Sequence, residues 1–444
     1  MNNLAFAQHF AEHGEVGLFF IVLSLTVNLL IMRRYIYSLF DPLLFYTILS
    51  AMAGSVVPYL FYFDLIRPFY FWSYLLTQAA FLGGFLLTRP PRRIDERALP
   101  RPVRLYSGPI RLLYPLSVCL FVSAQLVVYS ITGAPIFLES RLEAFAGGGG
   151  YGFFSRLIFV TSIISLAVAF YRLLLLRRGT ISRVIDYGVV AFCVIVAILS
   201  GSKGALLSLI FTVSLALFFA RKFYPVRAIE DRVKGFFIFI VALAVPVAFA
   251  AIYLQSGIDE IGELATVLLM RFLQSGDIFF MVYPDDVLSR LSQGNGLLAL
   301  FYSPLGSLRL VGREDLPVNL GLQAFWYHYD TELLSGPNAR HNVFGLHYFG
   351  PLLAVAFSFV LGRVFGWARN TLYRRLPATP IGMVAYVLVF SCAVFIEQDV
   401  SGQALEYLSS VSIVFPVLYG ICALIEPGKA RRRPATLAPH VERG

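Results

Sequence analysis

Charge is what this chain has least of. Of its 444 residues only 14% are Asp, Glu, Lys or Arg, against 58% that are hydrophobic, and its mean hydropathy is +0.73. A soluble domain carries about 25% charged residues. That shortage excludes a water-soluble fold of this length and leaves a polytopic membrane protein. Cysteine is scarce as well: Cys119, Cys193, Cys392 and Cys422 all lie inside apolar runs, with no Cys-x-x-Cys pair, so neither a disulfide nor a zinc site is predicted. Residues 1–14 hold no Lys or Arg ahead of the first apolar run. They lack the basic start of a cleavable signal peptide and are expected to stay in the mature protein. A Gly-x-Ser-x-Gly elbow and a His-Glu-x-x-His pair are also missing, which argues against a hydrolase or a zincin. There is no repeat of twenty to fifty residues.

What the chain does have is apolar runs of spanning length. They fall near 15–32, 42–63, 68–88, 112–131, 154–174, 184–200, 203–220, 235–254, 343–366, 380–396 and 405–425. The expected fold is therefore all-α, with about eleven transmembrane helices in a single integral domain over 1–426. A basic, proline-containing tail, 427–444, follows it.

The net charge of +10 would suggest nucleic acid if the basic residues were scattered. They are not: 27 of the 36 fall in alternate connections, at 33–34, 89–111, 172–183, 221–234, 363–375 and 429–443. The positive-inside rule makes those connections cytoplasmic, with the N-terminus outside and the C-terminus inside. Orientation and anionic headgroups then account for the charge without nucleic acid.

Nine basic residues remain on the other face: Arg67, Arg141, Arg156, Lys203, Arg271, Arg290, Arg309, Arg313 and Arg340. That face also receives the one large connection, 255–342. It contains two apolar stretches too short to cross, Ile261 to Phe272 and Gly296 to Tyr302, which read as interfacial or re-entrant helices. Its acids, Asp277, Asp285, Asp286, Glu314, Asp315, Asp330 and Glu332, together with Glu397 and Asp399 beyond it, read mostly as solvated loop residues. Asp285-Asp286 has no His or third acid at ligand spacing and makes a weak case for a metal.

Three stretches combine residues suited to chemistry. In Glu139-Ser-Arg-Leu-Glu143, followed by Gly147 to Gly150, Arg141 reads either as an anion-binding Arg oriented by Glu139 and Glu143 or as an ordinary surface ion pair. The four glycines cost about 1 kcal/mol each in a helix and favour a ligand-approaching loop. In Ser200-Gly-Ser-Lys-Gly204, Lys203 is an anion contact or a snorkelling interfacial Lys in equal measure; the context of a Walker loop is missing. In Asn338-Ala-Arg-His-Asn342, His341 suits a general base or a phosphate contact, or else an interfacial anchor. These last residues open the expected ninth span, whose positive helix end would face the outer boundary.

With these residues laid out, the sequence resembles the Wzy-type polysaccharide polymerases, which are related to the O-antigen ligases. Arg141, ten residues, then Gly152 matches the polymerases' Arg-ten-Gly pattern, and Arg340, nine residues, then Gly350 repeats it one residue short. His341-Asn342 followed by Gly350 is similar to the ligases' His-Asn…Gly pattern, shorter by two. Ser200-Gly-Ser-Lys-Gly-Ala-Leu-Leu is similar to a hairpin frequent among the polymerases. The likeness covers about residues 112–366.

The resemblance implies a glycosyltransferase-C-like architecture in the bacterial inner membrane. It also implies transfer of glycan from an undecaprenyl diphosphate carrier to a sugar hydroxyl on the periplasmic face, with a flippase and a chain-length regulator as neighbours. Arg and Lys on an outer face suit a diphosphate. Under that reading Arg141, Arg271, Arg340 and Lys203 bind the diphosphate. His341, Glu143 or Asp330 takes the proton, and Trp326, Tyr327, His328 and Asn338 contact glycan. A lipid diphosphate is already a good leaving group, so no cofactor or metal is called for. A ligase, acting on a lipid A core, is the alternative within the class. A transporter or flippase is the alternative outside it; that class places ionisable residues and broken helices near the midplane.

Overall fold

The computed structural model describes residues 1–91, 106, 108–137, 151–176, 179–200, 203–222, 230–231, 233–235, 238–239, 242, 246, 273–312, 315–329 and 336–426. The described residues are helical, with no strand among them. Seven of their helices are long and apolar enough to cross a membrane: Gly14–Met32, Pro42–Tyr62, Ile110–Phe137, Gly152–Leu175, Thr180–Leu199, His341–Arg375 and Val400–Ile425. Gly204–Ala220 and Pro380–Val394 are shorter apolar helices at expected spans. Pro68–Leu86 has nineteen residues but dilutes its apolar content with Ser73, Thr77 and Gln78. The expected span at 235–254 lies almost wholly outside the described residues, as does Ile261 to Phe272.

The elements used below are α1 (Asn3–Glu12), α2 (Gly14–Met32), α3 (Pro42–Gly54), α4 (Val56–Tyr62), α5 (Pro68–Leu86), α6 (Ile110–Thr132), α7 (Tyr151–Leu175), α8 (Thr180–Leu199), α9 (Lys203–Ala220), α10 (Asp277–Val282), α11 (Gly296–Ser307), α12 (Leu320–His328), α13 (His341–Gly366), α14 (Pro380–Val394), α15 (Val400–Leu405) and α16 (Phe415–Ile425). A π-helical stretch, Glu406–Val414, joins α15 to α16.

Two apolar clusters organise the packing. The larger is built around Phe81, Phe219, Phe365 and Tyr386. The smaller gathers α1, α4, α10 and α12 at one end of the molecule. There Phe6 stacks on Phe280 at 4.1 Å between ring centroids, and the Asn3 amide donates to the Tyr329 hydroxyl at 3.1 Å. The N-terminal helix is therefore packed directly against the described part of the long connection.

α13 is not one straight span. Gly350 takes φ +73° and ψ 173°, a conformation essentially reserved for glycine, and Pro351 follows it. The two limbs, 341–349 and 351–366, fold back on each other: a side chain at Gly345 would meet Ala354 at 3.2 Å, and the rings of Phe344 and Phe357 lie 5.8 Å apart. The first limb is thus re-entrant, and the span proper begins at Pro351 rather than at Val343. The sequence expectation of a continuous helix over 343–366 is corrected by this Gly-Pro break.

The second limb packs against α5 through backbone. A Cβ on Gly362 would fall 1.9 Å from the Phe81 carbonyl oxygen and one on Gly84 would fall 2.2 Å from that of Phe359. The Gly362-x-x-x-Gly366 spacing puts both small residues on the α5 side, the usual device for close approach where lipid offers no hydrophobic drive to pack helices.

Three buried or half-buried ion pairs tie distant segments. Arg369 meets Asp41, the N-cap of α3, at 2.6 Å with both side chains almost wholly buried. Arg172 meets Asp186 at 3.0 Å, with the Tyr114 hydroxyl donating to the same carboxylate at 2.7 Å. The third pair, Arg340 with Glu397, is part of the candidate site.

Candidate functional site at the buried end of a re-entrant helix

The first limb of α13 begins inside the protein. His341 stands beside Ser358, with Nδ1 to Oγ 2.9 Å. Ser358 is seven residues into the returning limb, about 10 Å below the Gly350 tip at 1.5 Å rise per residue. Arg340, His341 and Asn342 are exposed by 1%, 0% and 1%. The helix end expected to face the outer boundary faces the bundle interior instead, and in this conformation solvent does not reach these residues.

Glu397 organises the cluster. It lies in the turn after α14, accepts from the Arg340 guanidinium and from the Tyr46 hydroxyl, and accepts from the Ser50 hydroxyl at 2.9 Å. Its backbone carbonyl receives the His341 amide at 3.0 Å. Burial pushes the carboxyl's pKa up. The charge of Arg340 and the neighbouring His341, with the Tyr46 and Ser50 hydroxyls, outweigh that and hold it below the ordinary carboxylate value. Arg340 also donates to the Ser275 carbonyl at 3.1 Å, and its guanidinium stands 5.8 Å from the Phe279 ring centroid. Asn342 donates to the Thr77 hydroxyl at 2.9 Å, and Phe81 stacks on the His341 ring at 4.9 Å.

Each of the three consecutive side chains keeps one buried polar atom unpaired: Arg340 Nε, His341 Nε2 and Asn342 Oδ1. Buried polar groups are paired in the large majority of cases, and exceptions clustered at one place call for a ligand or for water. Their residues are the N-cap and the first two positions of a helix, where the aligned peptide dipoles favour negative charge.

The other expected residues are distributed as follows. Tyr327 and Trp326 are exposed on α12, and Asn338 is exposed as well; Tyr327 accepts from Arg290 at 2.9 Å. His328 is half-buried, with Nε2 2.7 Å from the Met281 carbonyl oxygen. α10 touches both groups, through the Phe279 ring beside Arg340 and the Met281 carbonyl beside His328. Arg141, Glu139, Glu143, Arg271 and Asp330 lie outside the described residues, as does the side chain of Lys203.

Three of the acids expected mostly as solvated loop residues are engaged instead. Glu397 is not a solvated loop acid but is buried to 1% exposure, and Asp399 caps α15 through its carboxylate, which accepts from the Gly402 amide at 2.9 Å. Asp286 is engaged by the Tyr70 hydroxyl and by Arg67 at 3.1 Å. The Tyr70 hydrogen bond, with Ser289 and Arg67, holds its carboxyl below the usual range. Tyr46, Ser50, Ser275, Ser358 and Thr77 carried no signal as site residues, because each reaches the cluster across a long separation in the chain. The one available signal was Glu397, an acid set between two apolar runs with only a short polar turn around it.

No known protein family, no curated protein and no solved structure matches the chain.

Proposed function

We propose that this protein is a membrane glycosyltransferase that polymerises undecaprenyl-diphosphate-linked oligosaccharide repeat units. It would pass the growing chain to the incoming unit on the periplasmic face of the bacterial inner membrane. The reading includes about eleven spans, a glycosyltransferase-C-like arrangement, a periplasmic N-terminus and a cytoplasmic C-terminus. The observation that carries it is the trio of unpaired polar atoms at the buried helix N-terminus. A cationic N–H donor, an imidazole nitrogen and an amide oxygen complement a ligand that brings an anion and a hydroxyl together.

In this reading the acceptor hydroxyl oxygen attacks the anomeric carbon, the bond from that carbon to the diphosphate oxygen breaks, and the diphosphate leaves with the electron pair. With the imidazole proton on Nδ1 and donated to Ser358, Nε2 keeps its lone pair and receives the hydroxyl proton. Arg340 Nε and the helix N-terminus stabilise charge on the leaving oxygen, joined by Arg141, Arg271 and Lys203. Glu143 and Asp330 are the other candidate bases. Trp326, Tyr327, His328 and Asn338 serve the glycan. Because Arg340, His341 and Asn342 are closed off, substrate entry requires that the surrounding segments move.

A second reading, a transporter or flippase, is favoured by one specific observation. A half-helix ending inside the bundle beside a buried Arg–Glu pair is what alternating-access sites use. Purified protein in detergent, given lipid-linked repeat units and nothing else, separates the two. A polymerase yields a ladder of products and loses it with Arg340→Ala or His341→Ala. A transporter yields no ladder under any condition, and a ligase yields product only when a core acceptor is added.

A further inference from the structure

A cavity of about 330 Å³ is walled by α6, α7, α8, α9, α14 and α15 and reaches the turn that carries Glu397. Phe395 lines it while Glu397, two residues on, holds Arg340. Its volume is at the lower end of the roughly 300–1,000 Å³ typical of small-molecule sites. Its extent along α7, from Ile158 to Leu166, is about 12 Å at helical rise. The walls are mainly apolar, and Leu166, Cys193 and Thr212 among them are buried. Ser200, Gln403 and Glu406 give it a polar side, none of them fully buried, while Ser208 is exposed.

The polar side is built rather than incidental. Glu406 begins the π-helical stretch and accepts from Ser410 at 2.5 Å. Arg156, one turn ahead of the Phe159 wall on α7, donates to the Ser409 hydroxyl at 3.0 Å. An ionisable residue inside a span marks a functional site by default, and π-helical segments occur frequently at such sites. An apolar void of this size leaves its lining without partner atoms unless something fills it.

We propose that this cavity is a lipid site that takes one hydrocarbon chain, with the anionic head of the same molecule held by Arg156 at the Gln403 and Glu406 end. The proposal stands apart from the glycosyltransferase reading, since a chain-binding cavity serves a transferase, a transporter or a structural lipid equally. Two sources supply such a chain: an isoprenoid carrier and a membrane phospholipid.

Full-length purified protein is incubated in one arm with a diazirine-bearing polyprenyl phosphate and in the other with a diazirine-bearing acyl phosphatidylglycerol. After irradiation, the modified peptides are mapped. The expected result is label within 158–166, 193–200 and 205–212 in at least one arm, and the arm that labels identifies the source. Ser162→Phe, placed on the wall, is expected to lower that label several-fold, with Ala205→Leu as a second filler if the first fails to fold. Thermal unfolding and elution volume show that each variant is folded. Label confined to other segments in both arms, or label unchanged in a folded filled variant, overturns the proposal. Ladder formation is not part of the readout, so failure here is distinct from failure of the proposed reaction.

Discussion

His341 and Ser358 are seventeen residues apart in sequence and 2.9 Å apart in space, which requires the chain between them to turn back on itself. That contact places an imidazole inside the bundle and fixes its ring through one nitrogen, leaving the other unpaired. If Nε2 takes the acceptor proton, His341→Ala should lower the rate of ladder formation by roughly 10²–10⁴-fold, the usual contribution of a general base. Ser358→Ala should lower it less, through the rate rather than through the apparent affinity for substrate. Equal rates for wild type and His341→Ala would remove His341 from the chemistry.

Glu397 is the partner of a buried cation, so removing it strands Arg340. Breaking a buried pair on one side costs about 3–5 kcal/mol, and Glu397→Ala should fail to accumulate or should melt well below the wild type. Glu397→Gln keeps one acceptor oxygen for Arg340 and Ser50 and turns an NH2 donor toward the Tyr46 hydroxyl, which must rotate to accept; it should fold better than the alanine variant while still weakening the hold on Arg340. A Glu397→Ala protein that melts like the wild type would mean that the pair is not formed in solution.

The same carboxylate predicts an acid limit. Its pKa in the fold lies below the ordinary value of 4.5, so its stabilising contribution is complete above that value and is lost as pH falls through the lower folded one. Melting temperature should drop on acidification below about 4.5, and the drop should be smaller in Glu397→Gln. An identical acid profile in the two proteins would assign the transition to other carboxylates.

Gly350 has open space around it but a backbone conformation that other residues avoid. Gly350→Ala should therefore cost about 1–3 kcal/mol through strain alone. Gly362 is the reverse case, because any side chain there meets the Phe81 carbonyl. Gly362→Leu should abolish the α5 contact and with it folded protein in the membrane, measured as yield after detergent extraction. If both variants behave like the wild type, the hairpin and the close packing are wrong.

Hydropathy made most of the helices legible, because a run of apolar residues long enough to cross is a local property of the chain. The turn at Gly350-Pro351 was missed, because the glycine-proline pair sits within an apolar run whose overall length reads as one span. The pairings were not legible. Arg340 with Glu397, Arg369 with Asp41 and Arg172 with Asp186 join segments whose proximity is decided by how the helices pack, and no periodicity in the sequence records that. The triplet Arg340-His341-Asn342 could be picked out by residue type, whereas the direction it faces depends on the fold-back that precedes the span.

The shortness of α14 has a consequence for the depth of the Glu397 turn. Its fifteen residues rise about 22 Å, against a hydrocarbon core of about 30 Å. Eleven of those residues are buried and none is exposed, so α14 meets protein rather than lipid and its neighbours carry the boundary with the bilayer. A helix enclosed in this way can stop short without any mismatch to the lipid. The turn that carries Glu397 and Asp399 can then lie at depth, where the Arg340 guanidinium and the Tyr46 and Ser50 hydroxyls take the place of water around the carboxylate.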